Sequence, residues 1–245
     1  MARIVLTASI LVAIGTVASA GQSGGYAPAG GGAGAPPSEQ QNASTRPYDV
    51  EKSGEFQDRA QLLSGKNADK ERAAALEQSQ KILAAIHLAC EPSAAEPVGR
   101  GRAQFDNKKV QVAIYEVACS NGLGYLLVAK EGADPYATSC FSADKMRAAE
   151  LAKGHKTELY CQLPGNKDVN AMAAALMSTA GTSCNVRTVQ WYGRSVMTNS
   201  EYEEVVCDNG AGYMLRTAQA GSTEPTSVMA CAEAAQRGVP CHLTP

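Results

Sequence analysis

The sequence predicts an α+β protein made of two tandem disulfide-stapled repeats, each running helix, strand, β-hairpin, helix, strand with a small, mainly antiparallel sheet. Three observations carry this prediction: an internal repeat, eight cysteines that divide evenly between its copies, and helical periodicity ahead of each copy. Only 5% of the 245 residues are aromatic. Because aromatic side chains bury the largest apolar areas, each repeat has a small core that needs covalent support.

The start of the chain has the features of a signal peptide at residues 1–20. Arg3 supplies a positive charge, an apolar stretch follows, and Ala18 and Ala20 form a small-x-small cleavage pattern. The apolar stretch is shorter than the roughly 20 residues that span a bilayer, so cleavage is favoured over anchoring and no membrane span is expected afterwards. Residues 21–68 read as a flexible Gly/Ala/Pro-rich tether and polar linker. We expect a periplasmic or secreted protein.

The overall charge limits the classes of partner. A formal net charge of −2 argues against the broad basic surface that a nucleic-acid binder needs to neutralise phosphates. We therefore expect no nucleic acid and instead an envelope or extracellular macromolecule.

The internal repeat lies at residues 115–127 and 203–215, where more than half of the positions are identical without a gap. Each copy also ends in Cys-x-Leu, at Cys161 and Cys241. The predicted repeats are residues 69–165 and 166–245. Their cysteines are, in order, Cys90, Cys119, Cys140 and Cys161, then Cys184, Cys207, Cys231 and Cys241.

Periodicity predicts the other elements. Between Asp69 and Ala89, Leu76 and Leu83 define an apolar helical stripe, and the Ala-rich run from Ala171 to Ala180 predicts a second helix. After each hairpin we expect a loop, a helix that ends near glycine, and a closing strand. The remaining predicted elements are first strands around Val110–Ile114 and Val186–Trp191, helices at Ala143–Lys153 (capped by Ser142) and Met229–Arg237, and closing strands at Leu159–Leu163 and Cys241–Leu243.

The repeated block reads as a hairpin with a type I′ turn at Asn121–Gly122 and at Asn209–Gly210, because Asn-Gly favours the positive φ angles of that turn. This turn sets Cys119 opposite Gly124, and Cys207 opposite Gly212. Alternation then places Val117 and Leu126 on the face of Cys119, and it places Ala118, Tyr125 and Leu127 on the other. Both faces are apolar, so we expect helices to cover one and consider the sister repeat for the other.

An even cysteine count in an exported chain indicates disulfides within each repeat. If the first two strands are antiparallel, Cys90 pairs with Cys119 and Cys140 with Cys161; by the same logic Cys184 pairs with Cys207 and Cys231 with Cys241. Pairing of the first and last cysteines of a repeat stays open. No Cys-x-x-Cys occurs, and no histidine pair has metal-ligand spacing, so no metal or cofactor is predicted.

Residues that recur in both copies are candidates for interaction rather than catalysis. The recurring residues are Glu116 and Glu204, Tyr125 and Tyr213, and Asn121 and Asn209. A structural role, such as a strand-edge glutamate paired with Lys or Arg, or a half-buried sheet tyrosine, is the simpler interpretation. His87, His155 and His242 do not recur, and no catalytic residue is predicted.

The chain resembles a group of uncharacterised exported proteins of Gram-negative bacteria. These share a Cys, a YEVxCxxGxGY hairpin, a second Cys and a closing CxLT. Tyr115–Tyr125 match the hairpin closely, whereas the second copy has Glu203 in place of the first Tyr. The closing motif matches at Cys241–Thr244, whereas the first copy has Pro164 in place of Thr. The resemblance spans residues 76–245 and implies a fold unit and an exported location, but no activity.

These observations favour a non-enzymatic macromolecule-binding module. One alternative is an inhibitor of an exported hydrolase that inserts a turn such as Ser120–Gly124 or Asp208–Gly212 into its target. A second alternative is a hydrolase that uses Glu116 or Glu204.

Overall fold

The computed structural model describes residues 51–52, 56–105, 108–154, 157, 159–222 and 224–244. The predicted signal peptide at residues 1–20, the tether up to residue 50, and His155 lie outside the described residues. Within the described ranges, no helix has the length and apolar character needed to cross a membrane.

The first sheet is antiparallel. In it, β3 pairs with two short N-terminal strands on one side and with β4 on the other, and β4, β5 and β6 continue as a meander. The bounds are β1 Glu51–Lys52, β2 Gln57–Asp58, β3 Pro92–Phe105, β4 Lys108–Cys119, β5 Gly124–Lys130 and β6 Tyr136–Ser139.

The second sheet is a four-stranded antiparallel meander in the order β10-β9-β8-β7. The bounds are β7 Val186–Ser195, β8 Ser200–Cys207, β9 Gly212–Ala218 and β10 Ser227–Ala230. The chain is therefore α+β with two small antiparallel sheets.

The two sheets share details of register. In the first, the β3–β4 pairing has irregularities between Pro92 and Ala94 and between Pro97 and Gly99. In the second, the β7–β8 pairing has them between Val186 and Thr188 and between Trp191 and Gly193. Each glycine that follows the second irregularity precedes an arginine, Arg100 in β3 and Arg194 in β7.

Five α-helices accompany the sheets: α1 Arg59–Leu62, α2 Ala68–Ala85, α3 Cys140–Ala152, α4 Val169–Thr179 and α5 Cys231–Gln236. The Ser139 hydroxyl caps α3 by accepting a hydrogen bond from the N–H of Ser142, so this helix begins earlier than the predicted cap at Ser142. Asp168 caps α4 in the same way. The helix predicted from Met229 begins instead at Cys231, because Met229 lies in β10.

The folded region begins before the predicted boundary at residue 69. Asp58 and Gln61 form a capping box at α1, and Phe56 is buried against β3. A Cβ on Gly99 would collide with the Phe56 ring, so the glycine makes room for this contact. Residues 56–62 therefore pack on the first sheet rather than forming part of a tether.

Three predicted strand positions differ from the structure. Val110–Ile114 is predicted as the strand before the hairpin but belongs to β4, the first strand of the hairpin; the strand before it is β3, whose prolines and glycines hide its strand character. Leu159–Leu163 and Cys241–Leu243 are not strands. The fourth strand of each meander, β6 or β10, lies instead in the segment predicted as a loop after the hairpin.

The hairpin turn is one residue longer than predicted. The N–H of Gly122 donates to the carbonyl of Cys119 at 3.0 Å, and the N–H of Cys119 donates to the carbonyl of Leu123 at 2.8 Å. Gly122 has a positive φ of 85°, whereas Asn121 does not have positive φ. A three-residue loop results, and the second hairpin has the same bonds at Cys207, Gly210 and Ala211.

The longer turn shifts the register by one residue. Gly124 lies opposite Ala118 rather than Cys119, and Val117 lies opposite Tyr125. Leu126 therefore shares a face with Glu116, its cross-strand partner, and not with Cys119. In the second sheet, likewise, Gly212 lies opposite Val206 rather than Cys207.

Four disulfides join Cys90 to Cys119, Cys140 to Cys161, Cys184 to Cys207 and Cys231 to Cys241. These pairs coincide with the ones that the strand argument favoured. We call the part of the chain that contains the first two bonds the first half, and the part that contains the other two the second half. No described cysteine is free.

The two halves meet in one continuous core. Tyr125 and Leu127 of the first sheet belong to the same apolar cluster as Val205 and Leu215 of the second. The Tyr125 hydroxyl donates a hydrogen bond of 3.0 Å to the carbonyl of Ala218. The inner face of each sheet is therefore covered in part by the other half.

Candidate functional site

Glu116, in the middle of β4, is completely buried and anchors the segment that follows α3. Its carboxylate accepts hydrogen bonds from the backbone N–H groups of Gln162 and Leu163 at 2.8–2.9 Å. The Asn166 amide donates to the same carboxylate at 3.0 Å. Because a strand would present these N–H groups to a neighbouring backbone, their engagement by a side chain explains why this segment is not a strand.

An arginine completes the Glu116 site. The Arg59 guanidinium, from α1, lies 2.6 Å from the Glu116 carboxylate and 3.6 Å from that of Glu96. Glu96 also pairs with Arg72 of α2 at 2.9 Å. The short N-terminal helix α1 is thereby tied to the sheet by a buried ion pair that sequence reasoning missed, because Arg59 falls in the segment that we predicted as linker.

Glu204 of β8 has the same role in the second half. It is buried, and its carboxylate accepts from the backbone N–H groups of His242 and Leu243 at 2.6 Å and of Thr244 at 3.1 Å. The carboxylate is therefore surrounded by backbone donors that are part of the fold. Neither Glu116 nor Glu204 is a strand-edge residue as the simpler interpretation expected, and neither is accessible to a substrate.

Each of these carboxylates lies beside a disulfide. Oxygen and sulfur atoms of Glu116, Cys140 and Cys161 lie within 4.8 Å of one another, as do those of Glu204, Cys231 and Cys241. Three such groups could hold a metal ion if the sulfurs were thiolates. Here the sulfurs are bonded in pairs, so neither cluster offers a thiolate ligand.

The other recurring residues are a pair of tyrosines in the sheets and a pair of exposed asparagines in the turns. Tyr125 is completely buried and Tyr213 is half-buried. The Asn121 side chain accepts from the N–H of Leu123 at 3.1 Å and that of Asn209 from the N–H of Ala211 at 3.0 Å, so both amides stabilise their turns. The structure does not bring these residues together into one site.

The turns themselves differ in accessibility. Leu123 is buried, and a Cβ on Gly122 would lie 3.7 Å from Ala175 of α4, so the first turn is packed against a helix. In the second turn, Asp208, Asn209 and Gly210 are exposed.

The two histidines that the structure describes, His87 and His242, are exposed. His87 follows the end of α2 with a positive φ of 52°, and its carbonyl accepts from the N–H of Gly221 at 3.2 Å. His242 lies in the irregular C-terminal segment with its ring 5.2 Å from that of Tyr192. Neither faces a nucleophile among the described residues.

A cavity of about 330 Å³ opens beside the Cys140–Cys161 disulfide. The Arg147 guanidinium lies 3.8 Å from the centre of the Tyr160 ring at its rim, and Asp144 and Lys167 add one charge of each sign. Its lining includes the residues that hold Glu116, and its single carboxylate, Asp144, is exposed. The described lining thus has polar contacts to offer but no paired acid and base.

The most exposed large apolar side chains of the described chain lie at the turn between β7 and β8, which sequence reasoning missed. Val196 is 81% exposed and Met197 94% exposed. We call Ser195–Ser200 the Val-Met turn. A signal for it is present in the sequence, because two adjacent apolar residues occur there among polar turn formers.

Comparison with protein-family models, with curated proteins and with solved structures found no match to this chain.

Proposed function

We propose that this chain is a non-enzymatic binding module of the periplasm or the extracellular space, and that it recognises a macromolecular partner through the Val-Met turn. The observation that carries the proposal is the exposure of Val196 and Met197 on a turn whose backbone is fixed. Large apolar side chains presented in this way are typical of binding sites, since exposing them to water has no benefit for folding.

The Val-Met turn is held by its neighbours. The carbonyl of Thr198 accepts from the hydroxyls of Ser200 at 3.3 Å and Ser222 at 3.0 Å, and the carbonyl of Asn199 accepts from the N–H of Gln219 at 2.8 Å. Asn199 itself has a positive φ of 46°. A turn that is already ordered loses little conformational entropy when it binds, which favours affinity.

The chemistry of the turn favours a protein cleft as its partner. Ser195–Ser200 contains no lysine or arginine to attract anionic lipid headgroups. Met197 can adapt its flexible thioether chain to an apolar pocket. Strand addition at β7 is less favoured, because the Asn170 amide already bonds the N–H of Val189 and the carbonyl of Arg187.

The proposed location rests on the disulfides, which persist in oxidising compartments, together with the predicted signal peptide. The resemblance to exported Gram-negative proteins supports the same location.

We also propose that the two halves are copies of one unit. Each has a four-stranded meander, matching register irregularities, two disulfides and a central glutamate that binds the chain after the last cysteine. Under this proposal both copies have the same scaffold, and the second copy carries the Val-Met turn that binds the partner.

The test is photo-crosslinking in the envelope fraction with a benzophenone side chain in place of Met197, and a second probe in place of exposed Lys81 as the control. We expect an adduct with one protein from position 197 and none from 81. The Val196→Ser/Met197→Ser variant should then bind the purified partner at least about tenfold more weakly, a change of roughly 1.4 kcal/mol. If the variant bound the partner as tightly as the wild type does, the role of the turn would be contradicted. If the wild type bound anionic vesicles as tightly as it binds the partner, a membrane would be indicated instead.

An inhibitor of an exported hydrolase is the second candidate, and the same fixed, narrow, apolar turn favours it. An inhibitor would suppress one hydrolase at near-stoichiometric amounts, and the Val196→Ser/Met197→Ser variant would release it. A hydrolase that works through Glu116 or Glu204 is not proposed, because both carboxylates are buried and bonded to backbone N–H groups.

A further inference from the structure

Two further carboxylates, Glu201 and Glu203, lie on the inner face of β8, where the two halves meet. They are 2% and 0% exposed. The hydroxyl of Ser139, the residue that caps α3 in the first half, donates a hydrogen bond to Glu201. The hydroxyl of Thr217 donates to Oε1 of Glu203 at 3.3 Å, while Oε2 of Glu203 is buried without a hydrogen-bond partner in the described chain.

Few charged side chains of the described residues lie close to Glu201 and Glu203. Arg194 of β7 is the cross-strand neighbour of Glu201, and its Nε is buried without a hydrogen-bond partner among the described residues. Burial raises the pKa of the Tyr125 hydroxyl in β5 of the first half, and the proximity of both carboxyl groups raises it further. Lys145 of α3 lies 5.3 Å from the centre of the Trp191 ring, and Trp191 is the cross-strand neighbour of Glu203. Arg194 thus lies opposite Glu201, whereas the residue opposite Glu203 is uncharged.

Ionised carboxylates are unfavourable in this environment. Burial raises the pKa of Glu201 to about 7, an effect that Ser139 and Arg194 partly offset. Burial and the neighbouring Glu201 raise the pKa of Glu203 well above its ordinary value. Glu201 is therefore largely neutral at pH values below about 7; when it ionises above that pH, a negative charge appears in a water-excluded contact beside Glu203, whose burial also disfavours ionisation.

We propose that Glu201 and Glu203 make the contact between the two halves a pH-dependent latch, which is closed while both carboxyl groups carry protons and loosened when they ionise. The geometry supports this assignment, because Glu201 links β8 to Ser139 of the other half and Glu203 lies beside it on the same face of the strand. Buried, incompletely bonded carboxyl groups stabilise a contact only in their neutral form.

A meander of this kind forms without carboxyl groups at the positions of Glu201 and Glu203. In the second sheet, Glu201 lies opposite Arg194 and Glu203 lies opposite Trp191. The corresponding positions of the first sheet hold Ala113, opposite Arg100, and Tyr115, opposite Pro97. Non-ionisable or weakly acidic side chains therefore fit the same places. Because apolar residues can replace buried charges without loss of stability, the fold does not require acids at these two positions, and their presence makes the contact titratable.

The direction of the pH effect follows from the raised pKa values. The stabilisation is complete below the ordinary glutamate pKa of 4.5 and is lost as pH rises through about 7. Glu201 follows the Val-Met turn directly on β8, so loosening would also release the turn; this extension rests on the proposed function. The latch itself is tested without any partner, so its failure and that of the proposed function are distinguishable.

The test compares thermal unfolding at pH 5 and pH 8 for the oxidised full chain and for the Glu201→Gln/Glu203→Gln variant, with Glu77→Gln on the exposed face of α2 as the control. We expect the wild-type Tm to fall by at least about 4 °C between these pH values. The double variant should lose most of this fall, and the control should retain it. A wild-type Tm that is constant or rises, or a double variant that falls as much as the wild type, would overturn the proposal.

A second measurement on the wild type covers the case in which the double variant does not fold. Amide hydrogen exchange, corrected for the intrinsic effect of pH, is followed in peptides from β5 and β8 and in a peptide from α2. We expect protection of β5 and β8 to fall at least about tenfold more than that of α2 between pH 5 and pH 8, since local opening exposes the contact. An equal change in all three peptides contradicts the latch.

Discussion

The hydroxyl of Tyr125 donates a 3.0 Å hydrogen bond to the carbonyl of Ala218, and this bond joins the first sheet to the second. Tyr125 is completely buried, so its hydroxyl cannot turn to water if the bond is lost. The equivalent hairpin position in the second half holds Tyr213, which is half-buried. The two tyrosines occupy the same place in the repeated sequence motif, but we expect only Tyr125 to stabilise the contact between the two sheets.

Tyr125→Phe should lower the free energy of unfolding by about 1 kcal/mol, because it removes the hydrogen bond to the partly buried carbonyl of Ala218. Tyr213→Phe is the matched control and should change it by less than about 0.5 kcal/mol. Urea denaturation of both variants measures the difference. Equal effects would show that the hydroxyl of Tyr125 does not join the halves.

Glu116→Gln should lower the free energy of unfolding by about 3 kcal/mol or more. The amide NH₂ group would face donors, and Arg59 would lose its buried counter-ion. Glu77→Gln removes an exposed glutamate that pairs with Lys81 and should leave the free energy of unfolding nearly unchanged, because solvent screens that pair. Denaturant unfolding checks both, and a Glu116→Gln protein as stable as the control would refute the anchoring role.

Gly212→Ala should destabilise the chain by about 1 to 3 kcal/mol, since a Cβ there would collide with Thr244 and lie 2.8 Å from the sulfur of Cys231. Gly165→Ala is the control, because its Cβ would meet only the Cβ of Ala118 at 3.9 Å. Thermal unfolding should show a lower Tm for the first variant alone. A tolerated alanine at 212 would mean that the C-terminal segment does not pack against β9.

Reduction of the disulfides should cause cooperative loss of structure. The four bonds span sequence separations of 10 to 29 residues, and each should contribute about 2.5 to 3.5 kcal/mol on the chain-entropy model, the shortest loop least. Circular dichroism in excess reductant, with thiol titration as the control for complete reduction, measures the loss. An unchanged spectrum with all thiols free would mean that the core is sufficient without its cross-links.

The cysteine pairs were accessible to sequence reasoning because they depend on local topology. Cys90 and Cys119 lie at the start and end of adjacent antiparallel strands, which is the relationship that the repeated hairpin implied. The helices at Ala68–Ala85 and Val169–Thr179 were also close to their predicted positions, because a periodic apolar stripe is a local signal.

The errors arise from choices that local sequence does not decide. Asn-Gly suits a two-residue turn, yet the chain forms a three-residue loop in which Gly122 alone has positive φ. That single residue moves Leu126 to the face of Glu116. The absence of a strand at Leu159–Leu163 depends on hydrogen bonds that its N–H groups donate to a carboxylate more than forty positions earlier in the chain, and no local pattern contains that information.

The roles of the candidate site residues, like the turn length, could not be predicted from local sequence. The recurrence of Glu116 and Glu204 marked them as important, but their role as anchors for backbone N–H groups required coordinates. Glu201 and Glu203 gave no repeated signal, because the first half has Ala113 and Tyr115 in the corresponding register.

Peptide mapping of the oxidised protein by mass spectrometry tests the central claim most directly, namely that two separately cross-linked halves make up the described fold. Digestion without reduction should release four linked peptide pairs: Cys90 with Cys119, Cys140 with Cys161, Cys184 with Cys207, and Cys231 with Cys241. A peptide that links a cysteine of the first half to one of the second would contradict the account.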